Sequence, residues 1–203
     1  MVFSTPIFLF YFLALTLLIY YLVPRRLRNP VLLCASLLFY FWGERVYPVI
    51  MLLSTAIDYT HGMLVEKYRS RDALARWFVA ESVLLNLGLL GFFKYWDFFA
   101  ANLSLIPGVS IPALGLPLPI GISFFTFQTM SYTIDVYRQD APAQKNMVSF
   151  GAYVTMFPQL VAGPIVRYKD VAAELIHRTN TASAFAAGAR RFTVGLAKKV
   201  LLA

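Results

Sequence analysis

The sequence predicts an all-α, polytopic transmembrane protein with re-entrant or broken helices. Three observations carry that prediction. Of the 203 residues 59% are apolar and 14% charged, with a mean hydropathy of +0.65, whereas soluble domains carry about 25% charged residues. The apolar residues gather into runs of helix length separated by short basic loops, the pattern of a membrane bundle. The stretch Tyr153–Asp170, YVTMFPQLVAGPIVRYKD, is apolar enough for a bilayer yet holds Pro158, Gln159, Gly163 and Pro164, and Arg167 and Lys169 close it. Each proline removes a backbone donor and disrupts a helical turn. Irregular backbone at membrane depth is tolerated only where protein or a water-filled cavity surrounds it. Spacing alone leaves two readings open, a Pro-kinked span within a bundle and a re-entrant segment lining a site.

The first element is Val2–Val23, long enough to cross a hydrocarbon core of roughly 30 Å. It lacks a preceding basic region and a small-residue cleavage site, so it reads as a retained span rather than a signal peptide. Arg25, Arg26 and Arg28 follow at once, which places the N-terminus outside and these arginines in the cytoplasm. Leu27–Gly43 and Val46–Val65 form a hairpin around Glu44–Arg45. Asp58 and His61 share a helix face of its second arm; a structural polar contact is favoured there over a functional dyad. Glu66–Arg76 reads as a charged inside loop, and Trp77–Phe93 as a span with Glu81 and Asn86 embedded. The aromatic residues from Phe92 to Phe99 suit a membrane–water boundary. Ser104–Pro119 is uncharged and rich in breakers, an outside loop dipping back towards the bilayer.

Leu118–Ile134 is a span of unusual polarity. Ser123, Thr126, Thr129 and Thr133 recur at three or four residues, which lets a neighbouring helix approach closely. Gln128, Ser131, Asp135 and Arg138 form a second stripe, ending in an opposed charge pair at the cytoplasmic boundary. Helix packing with an interfacial ion pair explains it, and so does one wall of a substrate passage. The inside segments then hold Arg25, Arg26, Arg28, Lys67, Arg69, Arg71, Arg76, Arg138 and Lys145, against Arg45 and Lys94 outside. A full crossing by Met147–Ile165 would put Arg167, Lys169 and Arg178 outside, against that bias. The prolines and glycines favour a segment that enters and returns. Ala182–Ala203 is amphipathic, with Phe185, Phe192, Leu196 and Val200 opposite Arg190, Arg191, Lys198 and Lys199, and is expected to lie in the interface. The sequence runs out at KKVLLA without a helix stop signal, so residues 1–203 are expected to be one membrane domain continuing into a longer protein.

Local chemistry is sparse. The basic residues are scattered, with no zinc-finger, RNP or basic-zipper pattern, which argues against nucleic acid and for lipid headgroups and topology. Cys34 stands alone and His177 reads as a solvated surface histidine. No Gly-rich phosphate loop, HExxH, GxSxG or metal spacing is present.

The segments PLPIGISFFTFQTMSYTIDVYR (117–138), FPQLVAGPIVRY (157–168) and GLAKKVLLA (195–203), with MVFSTPIFLFYF and NPVLLCASLLFYFWGE, resemble the membrane-bound O-acyltransferase family. The branch is that of alginate O-acetyltransferase; the teichoic-acid D-alanyl transferases are similar but less close. The resemblance covers the whole chain. It implies helices around a funnel that meets an acyl donor, acetyl-CoA, on the cytoplasmic side, with no cofactor bound. It also implies a cell inner membrane location, an extracytoplasmic acetyltransferase partner and a polysaccharide acceptor. The funnel candidates are then Gln128, Ser131, Asp135, Arg138, Pro158, Gln159, Gly163, Pro164 and Arg167, with Arg138 and Arg167 placed to attract the donor's phosphates. The family's catalytic histidine lies downstream of the FPQLVAGPI-like motif, so the role falls to neither His61 nor His177. The leading expectation is O-acetylation of an exported polysaccharide such as alginate. The alternatives are acylation of peptidoglycan or teichoic acid, a non-enzymatic scaffold, and a transporter.

Overall fold

The computed structural model describes residues 5–44, 46–160 and 166–202. In chain order the helices are α1 (Ile7–Leu22), α2 (Arg28–Gly43), α3 (Pro48–Lys67), α4 (Asp72–Leu103), α5 (Ile122–Tyr137), α6 (Met147–Thr155), α7 (Phe157–Leu160), α8 (Tyr168–Ile176) and α9 (Ala182–Leu202). Among the described residues there is no strand. The protein is an all-α membrane protein, and among the described residues α3 and α4 are the helices both long and apolar enough to cross a bilayer. Exposed Phe10, Leu15, Leu38, Trp42, Leu53 and Leu84 cover outward faces, as side chains against lipid do.

Local sequence sets the boundaries. The α1 helix is π-helical over Ile7–Leu13 and ends at Val23, which turns extended (φ −77°, ψ 150°) because Pro24 disfavours helical geometry before it. Pro48 opens α3, a position where its missing donor costs nothing. The charged loop expected over Glu66–Arg76 is shorter in the structure, since α3 runs to Lys67 and α4 begins at Asp72. The expected span Trp77–Phe93 is likewise longer, because no proline interrupts the chain before Pro107 and the helix continues to Leu103. At about 1.5 Å per residue this helix exceeds the hydrocarbon thickness. The loop after it is fastened to its end: Asp97 accepts from the Leu114 and Gly115 N–H groups at 2.8 and 3.1 Å.

The α5 helix lies at the centre, packed on α3, α4, α6 and α8. Gly62 lets α3 approach it, since a Cβ there would fall inside the ring of fully buried Tyr132. Towards α4, Thr129 Oγ1 donates to the Asn86 side chain at 3.3 Å, and Thr133 Oγ1 lies 3.2 Å from Ser82 Oγ. Thr129 and Thr133 of the small polar stripe read from the sequence therefore lie in the α4–α5 seam.

The proline-bearing segment is broken, and the described residues on its two sides meet. It starts at Met147, its first turn capped by the Asn146 side chain, which accepts from the Ser149 N–H at 3.0 Å. It breaks at Met156 (φ −51°, ψ 111°). Leu160, the end of α7, meets the start of α5: Gly121 sits at φ +79°, and a Cβ there would lie 2.8 Å from the Leu160 carbonyl oxygen. Gly163 and Pro164 lie outside the described residues. Tyr153 Oη donates to the Val166 carbonyl at 2.8 Å, and Gln144 Nε2 donates to Tyr168 Oη at 3.3 Å. The residues flanking the segment on both sides thus meet at the C-terminal end of α5. The α9 helix carries its apolar and basic faces in the open, touching α1 through the Phe185 and Tyr21 rings, 5.7 Å apart.

Gly62→Ala should destabilise the protein by about 1–3 kcal/mol, because the Tyr132 ring has no room to move. Gly88→Ala, where a Cβ meets nothing within 4 Å, should be neutral or stabilising. Denaturant unfolding in detergent measures both, and equal midpoints would contradict the close α3–α5 approach.

Candidate functional site

A helix broken at Met156 leaves backbone groups without partners. In an unbroken helix the Tyr153 carbonyl would accept from the N–H of residue 157, and Val154 from that of residue 158, which is proline. Here Gln128 Nε2, from the middle of α5, donates to the Tyr153 carbonyl at 3.0 Å. The Phe157 N–H donates instead to Ser36 Oγ of α2 at 3.2 Å. Both side chains are buried, and an unsatisfied backbone group in such surroundings costs several kcal/mol. Gln128 and Ser36 therefore hold the break open from opposite sides. Gln128 Nε2 also lies 3.3 Å from Gln159 Oε1, which ties the amide of α7 to that of α5.

The broken segment borders a cavity of about 350 Å³, with Tyr153, Met156, Pro158 and Gln159 on one wall and Leu13, Leu17 and Tyr20 of α1 on another. Pro158 is exposed, Gln159 half-buried and Ser131 half-buried. The Ser131 hydroxyl donates to the Gln128 carbonyl at 2.8 Å, within its own helix.

A second constellation closes the return. Asp135, fully buried on α5, pairs with Arg167 at the start of α8. Asp140 stands 3.9 Å from Arg167 and 3.6 Å from Lys169. The sequence suggested Asp135 and Arg138 as the opposed pair at this boundary. The structure gives Asp135 to Arg167 and leaves Arg138 exposed, because the returning chain delivers a guanidinium to the buried carboxylate, whereas Arg138 sits in the exposed turn that ends α5. The Asp135 carboxylate is also what holds the Arg167 guanidinium above its ordinary pKa, so its charge is already answered. Behind this latch, burial pushes the Tyr168 hydroxyl up to about 12. It stays neutral and accepts from Gln144.

The third polar group lies between α3, α4 and α5. The buried Asp58 carboxylate accepts from Ser82 Oγ at 2.6 Å and from Asn86 Nδ2 at 2.8 Å, and Asn86 Oδ1 accepts from Ser54 at 3.1 Å. His61 turns elsewhere, with Nδ1 2.7 Å from the Ile57 carbonyl and Nε2 3.5 Å from Glu81. No hydrogen bond joins Asp58 to His61 among the described residues, so the pair acts as two helix-packing contacts. Among the described residues no group of three or more His, Cys, Asp or Glu side chains is disposed to hold a metal ion.

The sequence singled out Gln128, Asp135, Pro158, Gln159 and Arg167, and the structure gathers them along α5 and the broken segment. It missed Ser36, Tyr153 and the Asp58–Ser82–Asn86 group. A lone serine within the apolar run of α2 was the one available signal for Ser36.

Two proteins named "Probable alginate O-acetylase AlgI", from Azotobacter vinelandii and Pseudomonas aeruginosa, are each 41% identical to this chain over 211 aligned positions. The alignments cover all of this chain and 42% and 40% of those proteins. A protein named peptidoglycan O-acetyltransferase from Helicobacter pylori is 32% identical over 237 positions, again covering all of this chain and 44% of that one. The chain spans about two fifths of the length of the curated relatives it matches. No family model matches it, and no solved structure does.

Replacing Gln128 by Leu should cost about 1–3 kcal/mol by leaving the Tyr153 carbonyl unpaired. Gln128→Asn, too short to reach, should cost nearly as much. Equilibrium unfolding in detergent reads both, and a neutral Gln128→Leu would remove Gln128 from its supporting role.

Proposed function

We propose, on the premise that this chain belongs with the alginate O-acetylases along its whole length, that it forms part of a membrane-bound O-acyltransferase. The enzyme moves an acetyl group for O-acetylation of an exported polysaccharide such as alginate. The whole-chain similarity is the observation that carries this reading. The chain is multi-pass in the cell inner membrane, with its N-terminus outside the cytoplasm, as the basic-residue asymmetry supports. Acetyl-CoA on the cytoplasmic side is the donor, and an extracytoplasmic acetyltransferase completes delivery to the polymer.

The residues in hand would serve that reaction by shaping its surroundings. An acyl ester is lost to hydrolysis unless water is kept away. A chain that enters and returns, with its freed backbone groups answered by Gln128 and Ser36, makes a rigid wall without trapping water. Gln159 is the half-buried amide at the open side of that wall, where it can orient a passing acyl carbonyl. Arg167, committed to Asp135, fixes the segment's exit and leaves donor recognition to other cations. The peptidoglycan O-acetyltransferase relative supports a second acceptor, a cell-wall glycan, served by the same geometry.

The test uses the full-length protein in cells producing the polymer. Gln159→Ala should lower ester-linked acetate on the exported polysaccharide at least about tenfold, as misplacement near a reacting group does. The amount of protein in the membrane should not change. Undiminished acetate on the polymer after deletion of the whole gene would overturn the function. Undiminished acetate in Gln159→Ala alone would remove Gln159 from the path.

A further inference from the structure

Three arginines gather where α1 gives way to α2 and α8 ends. Arg25, in the 3-10 turn Arg25–Leu27, and Arg28, at the start of α2, line a pocket of about 250 Å³ together with Asn29, His177 and Arg178. Arg28 and Arg178 stand over the same Tyr20 ring, 5.2 and 5.9 Å from its centroid, and Arg178 donates to the Tyr20 hydroxyl at 3.4 Å. Like charges held together in this way repel, and partial burial strengthens the repulsion. Three other cations are answered by carboxylates: Arg167 by Asp135, Lys169 by Asp140, Arg76 by Asp72. Among the described residues, no carboxylate forms an ion pair with Arg25, Arg28 or Arg178. Among the described residues the buried Nε of Arg28 has no hydrogen-bond acceptor. Guanidinium groups lining one pocket suit the oxygens of a phosphate group.

What adjoins the pocket identifies the phosphate's carrier. Leu175 and Arg178 also line the cavity of about 350 Å³ that leads to the break at Met156. The walls of that cavity are largely apolar, with Leu13, Leu17, Leu32 and Val171 among them, and its charged side chains are Glu174 and Arg178. A phosphate-sized basic end opening into a hydrocarbon-lined tube fits a head and an acyl chain. A nucleotide's sugar and base, by contrast, would face mostly apolar wall there. We propose that this site holds an anionic phospholipid, its headgroup phosphate against Arg25, Arg28 and Arg178 and one acyl chain along the cavity. The chain backs the broken segment with hydrocarbon and keeps water from its freed backbone. The site stands independently of the acyl-transfer reading.

The test is native mass spectrometry of the full-length protein in a mild detergent, with phosphatidylglycerol, phosphatidylcholine and coenzyme A as separate probes. The wild type should retain phosphatidylglycerol in preference to phosphatidylcholine. Arg25→Gln should weaken phosphatidylglycerol about fivefold, and Arg28→Gln with Arg178→Gln on the order of twentyfold, at the strength typical of one basic residue on an anionic lipid. Leu17→Trp, which fills the tube, should weaken phosphatidylglycerol and leave coenzyme A unaffected. Arg25 is exposed, so Arg25→Gln decides the matter should the double variant fail to fold. Equal phosphatidylglycerol retention by wild type and the arginine variants would overturn the proposal. So would coenzyme A binding that is lost in those variants while phosphatidylglycerol binding persists, which would assign the pocket to a soluble phosphate.

Discussion

Two hydrogen bonds, from the Gln128 amide to the Tyr153 carbonyl and from the Phe157 N–H to the Ser36 hydroxyl, make a broken helix tolerable in the interior of this protein. Proline at 158 has no N–H to give the Val154 carbonyl and kinks or breaks a helix that runs through it. Without partners for the freed groups, the same sequence would be driven to straighten or to leave the bilayer. The partners come from α5 and α2, so the break can exist only where those two helices flank it. That requirement explains why α6 is buried along nearly its whole length between them.

The rest of the fold serves the same end. In lipid there is no hydrophobic drive for one helix to leave hydrocarbon for another, and association rests on close packing and polar contacts. The α3–α4–α5 core accordingly combines a glycine under a tyrosine ring, a threonine seam and the Asp58–Ser82–Asn86 group. These fix α5, and α5 in turn presents Gln128 to the break and Asp135 to the returning chain. A buried carboxylate is tolerable here because Arg167 answers it, so the latch and the return require each other.

The sequence revealed the order and approximate limits of α2, α3, α5 and α9, because their apolar periodicity and flanking charges are local. It also revealed that the helix starting at Met147 is interrupted, since Pro158 acts through its own covalent geometry. The partners remained hidden. Ser36 is 121 residues from Phe157, and Tyr20 is 158 from Arg178, and no spacing rule spans such distances. Asp135 was matched to Arg138 because helical spacing sees only the same helix, whereas tertiary packing brought Arg167. Aromatic residues after Phe92 suggested an interface, and the structure carries them on a continuing helix because nothing in the chain stops it.

The central claim is that the chain enters, breaks and leaves on one side. Impermeant maleimide labelling of Lys145→Cys and Lys169→Cys, each in a Cys34→Ala background of the full-length protein, measures it directly in right-side-out and inverted membrane vesicles. Both cysteines should react in the same vesicle orientation and be protected in the other. Reaction of one from each side would show a full crossing between them and contradict the account.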